Sequence, residues 1–82
     1  MPKAKKSERA SRPLGEVVSR IGLVMSASGH TGNEIARRTG LSRQTIRKLR
    51  TGDFDSIHLD TLALLCREFD AEVSDLLQYE NP

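Results

Sequence analysis

The stretch that decides the fold is TGNEIARRTGLSRQTIRKLRTG, residues 31–52. Thr31 followed three positions later by Glu34 is a capping-box pattern, and it predicts a helix over about 32–39 with Ile35 facing inward. Gly40 is free to take positive φ and turn the chain sharply, and Leu41 plugs the turn. Ser42 is an N-cap residue for a second helix over about 43–50, which Gly52 ends. Ala36 is small where a neighbouring helix must come close. On the second helix Ile46 and Leu49 form an apolar side, and Arg43, Gln44, Arg47, Lys48 and Arg50 occupy the other. A short helix held at a fixed angle, with long donor side chains pointing away from its support, meets the requirements for reading the major groove of DNA.

Charge is arranged around the same stretch. The net charge is only +2. Yet residues 1–50 carry 12 Lys and Arg against three acids, a formal +9, and residues 51–82 carry one Arg against eight acids, a formal −7. The basic half attracts a polyanion and the acidic half is repelled by it.

The 82 residues allow one small domain. Residues 1–13 contain three Lys, two Arg, two Ser and two Pro, and read as a flexible, disordered basic tail. Residues 14–82 read as the folded domain. Five basic side chains in the tail (Lys3, Lys5, Lys6, Arg9, Arg12) suit either an arm lying along DNA or a merely solubilising extension. A single cysteine excludes an internal disulfide. The longest apolar run, Leu62 to Cys66, is far too short for a membrane span. A soluble cytoplasmic protein is the default expectation.

Outside the central stretch, Val17, Val18, Ile21, Val24 and Met25 fall at helical spacing and predict a first helix over about 14–28. Gly22 within it belongs on an outer face or at a close helix contact, and Gly29 stops it. Leu59, Leu62, Ala63, Cys66 and Phe69 predict a fourth helix over about 59–69, capped by His58 or Asp60. Ser74 caps a short fifth helix containing Leu76, Leu77 and Tyr79. No segment alternates with a strand period beyond a few residues. The expected fold is all-α, five short helices around one apolar centre.

These residues resemble the helix-turn-helix of the Cro/phage-repressor (XRE-like) family. The resemblance runs through Glu34-Ile35-Ala36, Gly40-Leu41-Ser42 and Thr45-Ile46-Arg47-Lys48-Leu49-Arg50-Thr51-Gly52. It continues through His58-Leu59-Asp60-Thr61-Leu62 and Phe69-Asp70-Ala71-Glu72-Val73-Ser74-Asp75-Leu76-Leu77, so that it spans about residues 17–79. The resemblance implies a five-helix, lambda-repressor-like DNA-binding domain whose third helix is the recognition helix. By position, Arg43, Gln44 and Lys48 then face base edges, Arg47 reaches either bases or phosphate, and Ser42 and Thr45 are phosphate-side contacts. Arg and Lys donate to guanine O6 and N7, and Gln pairs with adenine.

Two departures from the family pattern stand out. Many relatives begin helix 2 with a phosphate-holding Gln, and the aligned residue here is Gly32; Asn33 or backbone N–H groups are left to substitute. Many relatives also pair an Arg in helix 1 with a Glu late in helix 3. The aligned residues here are Met25 and Arg50, so Arg50 is freed for phosphate. Arg38, on helix 2, is a further phosphate candidate.

Other features read plainly. Cys66 sits on the apolar face of its helix as a small core residue. His30 and His58 show no metal-ligand spacing, and Asp53 and Asp55 read as a solvated turn. No nucleophile–base or metal constellation supports an enzyme, and no cofactor is implied. The partner expected is double-stranded DNA, bound by a transcriptional regulator, a repressor. The alternative is a protein-interaction module, such as an antitoxin-like partner of a toxin protein that also binds its own promoter. Leu76, Leu77 and Tyr79 fit either a homodimer surface or the last layer of the core.

Overall fold

The computed structural model describes residues 13–82, so the tail expected at 1–13 lies almost wholly outside the described residues. The order of elements is β1 (Glu16–Ser19), α1 (Ile21–Ser28), α2 (Gly32–Thr39), α3 (Arg43–Thr51), α4 (Leu59–Phe69), α5 (Val73–Leu76) and β2 (Leu77–Glu80). Five helices surround a core of Ile21, Met25, Ile35, Ile46, Leu49, Leu62, Leu65 and Leu76, which are buried, with Val24, Leu41, Phe54, Cys66 and Phe69 packed on it. Each such aliphatic side chain contributes about 1.5–3 kcal/mol by leaving water.

The fold is not all-α. The first predicted helix begins seven residues late, because residues 16–19 form a strand instead. β1 pairs antiparallel with β2 in the register Glu16↔Glu80, Val17↔Tyr79, Val18↔Gln78 and Ser19↔Leu77. The physical reason is that β-branched Val17 and Val18 suit an extended backbone, and a partner strand arrives from the far end of the chain. The junction is pinned: Arg20 N–H donates to Leu76 O at 2.7 Å and Arg20 Nε to Gln78 Oε1 at 2.7 Å. Gly15 N–H donates to the Tyr79 hydroxyl at 3.1 Å.

The same pairing corrects the C-terminal end. The fifth helix ends at Leu76, and Leu77 and Tyr79 belong to β2. Its N-cap is Glu72 rather than Ser74, with the Glu72 N–H donating to Asp75 Oδ2 at 2.9 Å. Leu76 is fully buried, Leu77 half-buried and Tyr79 exposed.

α4 has the predicted bounds, with His58 at its N-cap and no side-chain capping bond. Its inward stripe is rotated from the expected one. Leu62 and Leu65 are buried, Cys66 and Phe69 are half-buried, and Leu59 and Ala63 are exposed. The helix ends at Asp70, in the left-handed region with φ 50°, which turns the chain toward α5.

Gly22 does mark a close helix contact. A Cβ there would fall inside the van der Waals envelope of the Arg50 carbonyl oxygen, so α1 crosses the last turn of α3 backbone to backbone.

Candidate nucleic-acid interface

The central stretch folds as its residues dictate. Thr31 caps α2: its hydroxyl accepts the Glu34 N–H at 3.1 Å, and the Glu34 carboxylate accepts the Thr31 N–H at 2.8 Å. Hydrogen bonding to Thr31, first through its backbone N–H and then its side chain, holds the Glu34 carboxyl below its ordinary pKa, with His30 and Arg37 as lesser causes. α2 ends at Gly40, with φ 79°. Thr39, which the motif alone did not single out, stitches the turn. Its hydroxyl donates to Ile35 O at 2.7 Å and accepts the Leu41 N–H at 3.2 Å.

α3 then starts at Ser42, whose hydroxyl accepts the Thr45 N–H at 3.1 Å and donates to Thr45 Oγ1 at 2.8 Å. Ile46 and Leu49 anchor it in the core, at 2% and 4% exposure. Arg43, Gln44, Arg47, Lys48 and Arg50 are all exposed. A second hydroxyl missed in the sequence, that of Thr51, closes the last turn by donating to Arg47 O at 3.0 Å. Gly52, with φ 79°, ends the helix.

Between the start of α2 and the exposed side of α3 lies an open cleft of about 690 Å³. Thr31, Gly32 and Asn33 form one wall; Arg43, Gln44, Arg47, Arg50 and Thr51 form the other. The structure therefore brings five of the expected contact residues to one place: Asn33, Arg43, Gln44, Arg47 and Arg50. Lys48, Ser42 and Thr45 are on α3 or its cap but outside the cleft walls. Arg38 is elsewhere in its bonding, since its Nε donates to the carboxylate of Glu68 on α4.

No acidic residue lines the cleft. Among the described residues, none of the four cations of α3 enters an ion pair. Arg50 has a defined seat all the same. A Cβ built on Gly32 would stand 3.4 Å from its Nη2, 3.5 Å from Nη1 and 3.7 Å from Cζ, so the tip of the guanidinium lies beside the first residue of α2.

Two helices joined through a left-handed glycine, the second seated by two buried aliphatics and basic outside, define a helix-turn-helix protein. The profile of the Cro/C1-type HTH DNA-binding domain matches residues 20–82, and the chain belongs to that family. Among solved structures it is similar to a crystal structure described as a "putative DNA-binding protein" from Bacteroides fragilis. That likeness has a TM-score of 0.66 at 21% identity, over 77% of this chain and 100% of the other, and it shows the shared fold. No curated protein matches the chain. Among the described residues no helix is long and apolar enough to cross a membrane.

Proposed function

We propose that this chain is a sequence-specific duplex-DNA-binding transcriptional regulator, a repressor, whose α3 enters the major groove. The observation that carries this reading is the exposed side of α3. It holds three arginines, a lysine and a glutamine with no acid among them, and Ile46 and Leu49 fix its angle to the core. Arg43, Gln44 and Lys48 read base edges, and Arg47 reaches bases or the flanking phosphate. Asn33, Arg50 and the Ser42–Thr45 hydroxyl pair hold the backbone, which sets the register without carrying sequence information.

Arg38 contributes less to the backbone set than its position suggests, because Glu68 competes for its guanidinium. Repression follows from occupancy of the bound site. A homodimer on DNA places its two recognition helices about 34–36 Å apart, one helical turn.

In vitro selection of duplexes by the purified chain, followed by footprinting, tests the reading. Enrichment of a defined site, and its protection in the major groove, are expected. Binding of all duplexes alike at every salt concentration would sink the sequence-specific part. An interaction module that does not engage DNA predicts instead no shift of any duplex at micromolar protein.

A further inference from the structure

We infer that Gly32 is a positioning residue for DNA binding: its bare Cα seats the Arg50 guanidinium in the cleft beside α2, where it holds a backbone phosphate of the bound duplex. The inference rests on the DNA-binding reading above and deepens it.

Three observations meet at Arg50. First, its backbone is packed tightly, because its carbonyl lies against Gly22 of α1. The side chain therefore leaves the helix from a fixed point. Second, the tip of the guanidinium closes on residue 32, with both terminal nitrogens and the central carbon at 3.4–3.7 Å from where a Cβ would be. A Cβ alone reaches only contact distance there. Any longer side chain needs the volume the guanidinium fills. Third, the cleft collects Arg43, Arg47 and Arg50 from successive turns of one stripe of α3, with no carboxylate on its walls.

Three like charges gathered on one stripe repel one another. An unpaired cluster of this kind is relieved by an anion, and the planar fork of Arg matches the oxygens of a phosphodiester. Arg43 and Arg47 lie nearer the N-terminal end of α3. Arg50, at the opposite end, reaches back across the cleft into space that a side chain longer than alanine at residue 32 would contest. Positions 32 and 50 thus form one functional unit, although they lie on different helices.

The test is binding of the full chain to its selected duplex, followed by fluorescence anisotropy across a potassium chloride series. One phosphate contact adds about 0.9 to the slope of log K against log salt, a factor of roughly eight in affinity at 0.1 M salt. Arg50→Gln is expected to lose that slope and that factor. Gly32→Leu is expected to lose the same, Gly32→Ala less, and Gly32→Leu with Arg50→Gln no more than Arg50→Gln alone. Gly32→Met, a flexible side chain of similar reach, replaces the leucine variant if thermal unfolding shows that the latter is not folded.

Additive losses in the double variant would overturn the coupling, and so would a Gly32→Ala loss equal to that of Gly32→Leu. An unchanged salt slope in Arg50→Gln would overturn the phosphate contact. Failure of the unaltered chain to bind any duplex would instead remove the DNA-binding reading itself, so the two failures are distinct.

Discussion

The carbonyl of Arg50 occupies the space that a side chain on Gly22 would need. Two opposing effects decide what Gly22→Ala does. Alanine gains at most about 1 kcal/mol over glycine by propensity, and Gly22 lies in the first turn of α1. Forcing a methyl group against a backbone carbonyl costs about 1–3 kcal/mol, because a carbonyl in a hydrogen-bonded helix cannot turn aside as a side chain can. At so short an approach the overlap wins, and Gly22→Ala is expected to lower stability by up to about 2 kcal/mol in urea unfolding. It also pushes α3 away from α1, so DNA affinity falls even where the variant remains folded. A stabilised variant would show that the α1–α3 crossing has slack.

Base reading and backbone holding separate experimentally. Arg43→Ala or Gln44→Ala is expected to cost about 1–3 kcal/mol on the preferred duplex and to relax preference at the base pair each one reads. Random duplex loses less. Competition binding with single-substitution duplexes gives the comparison directly. Equal losses on specific and random DNA for Arg43→Ala would reassign Arg43 to the backbone.

What was legible in the sequence was what the chain builds locally. The Thr31–Glu34 capping box, the left-handed Gly40, the Ser42 cap and the Gly52 stop each involve residues within a few positions of one another, and α2 and α4 have the predicted bounds. The sheet was not legible, because Val17 and Tyr79 meet across 62 positions and neither strand exists without the other. Val17 and Val18 also satisfy a helical spacing together with Ile21 and Met25, so the local pattern pointed to the wrong element. The site divides in the same way. The exposed row on α3 follows from Ile46 and Leu49 alone, whereas the seat of Arg50 on Gly32 and the bond from Arg38 to Glu68 depend on how separate helices cross.

That Arg38–Glu68 bond makes a prediction opposite to the one position alone suggests. The Glu68 side chain is only 11% exposed and that of Arg38 is 51% exposed. Arg38→Gln is expected to cost stability, about 0.5–1 kcal/mol for a pair of this exposure. Its effect on the salt slope of DNA binding is expected to be smaller than that of Arg50→Gln. Glu68→Gln releases Arg38 and is expected to strengthen non-specific binding with a steeper slope. If Arg38→Gln instead loses a full phosphate's worth of slope, the guanidinium leaves Glu68 when DNA arrives.

Glu34 ties stability to pH. Its carboxylate accepts the Thr31 N–H, which holds its pKa in the folded chain below the unfolded value. A depressed carboxylate stabilises the fold in its ionised form. Its contribution is complete above the unfolded pKa and disappears as pH falls through the lower, folded one. Thermal unfolding of the wild-type chain across the acid range is therefore expected to show a loss of stability in that window. In Glu34→Gln the side chain still reaches the Thr31 N–H but does not titrate, so this component of the pH dependence is absent. Because the cap opens α2 beside Gly32 and Asn33, DNA binding by the wild-type chain weakens in the same acid window, while Glu34→Gln binds less pH-dependently. Identical pH profiles for the two proteins would show that the carboxylate's charge contributes nothing to the cap.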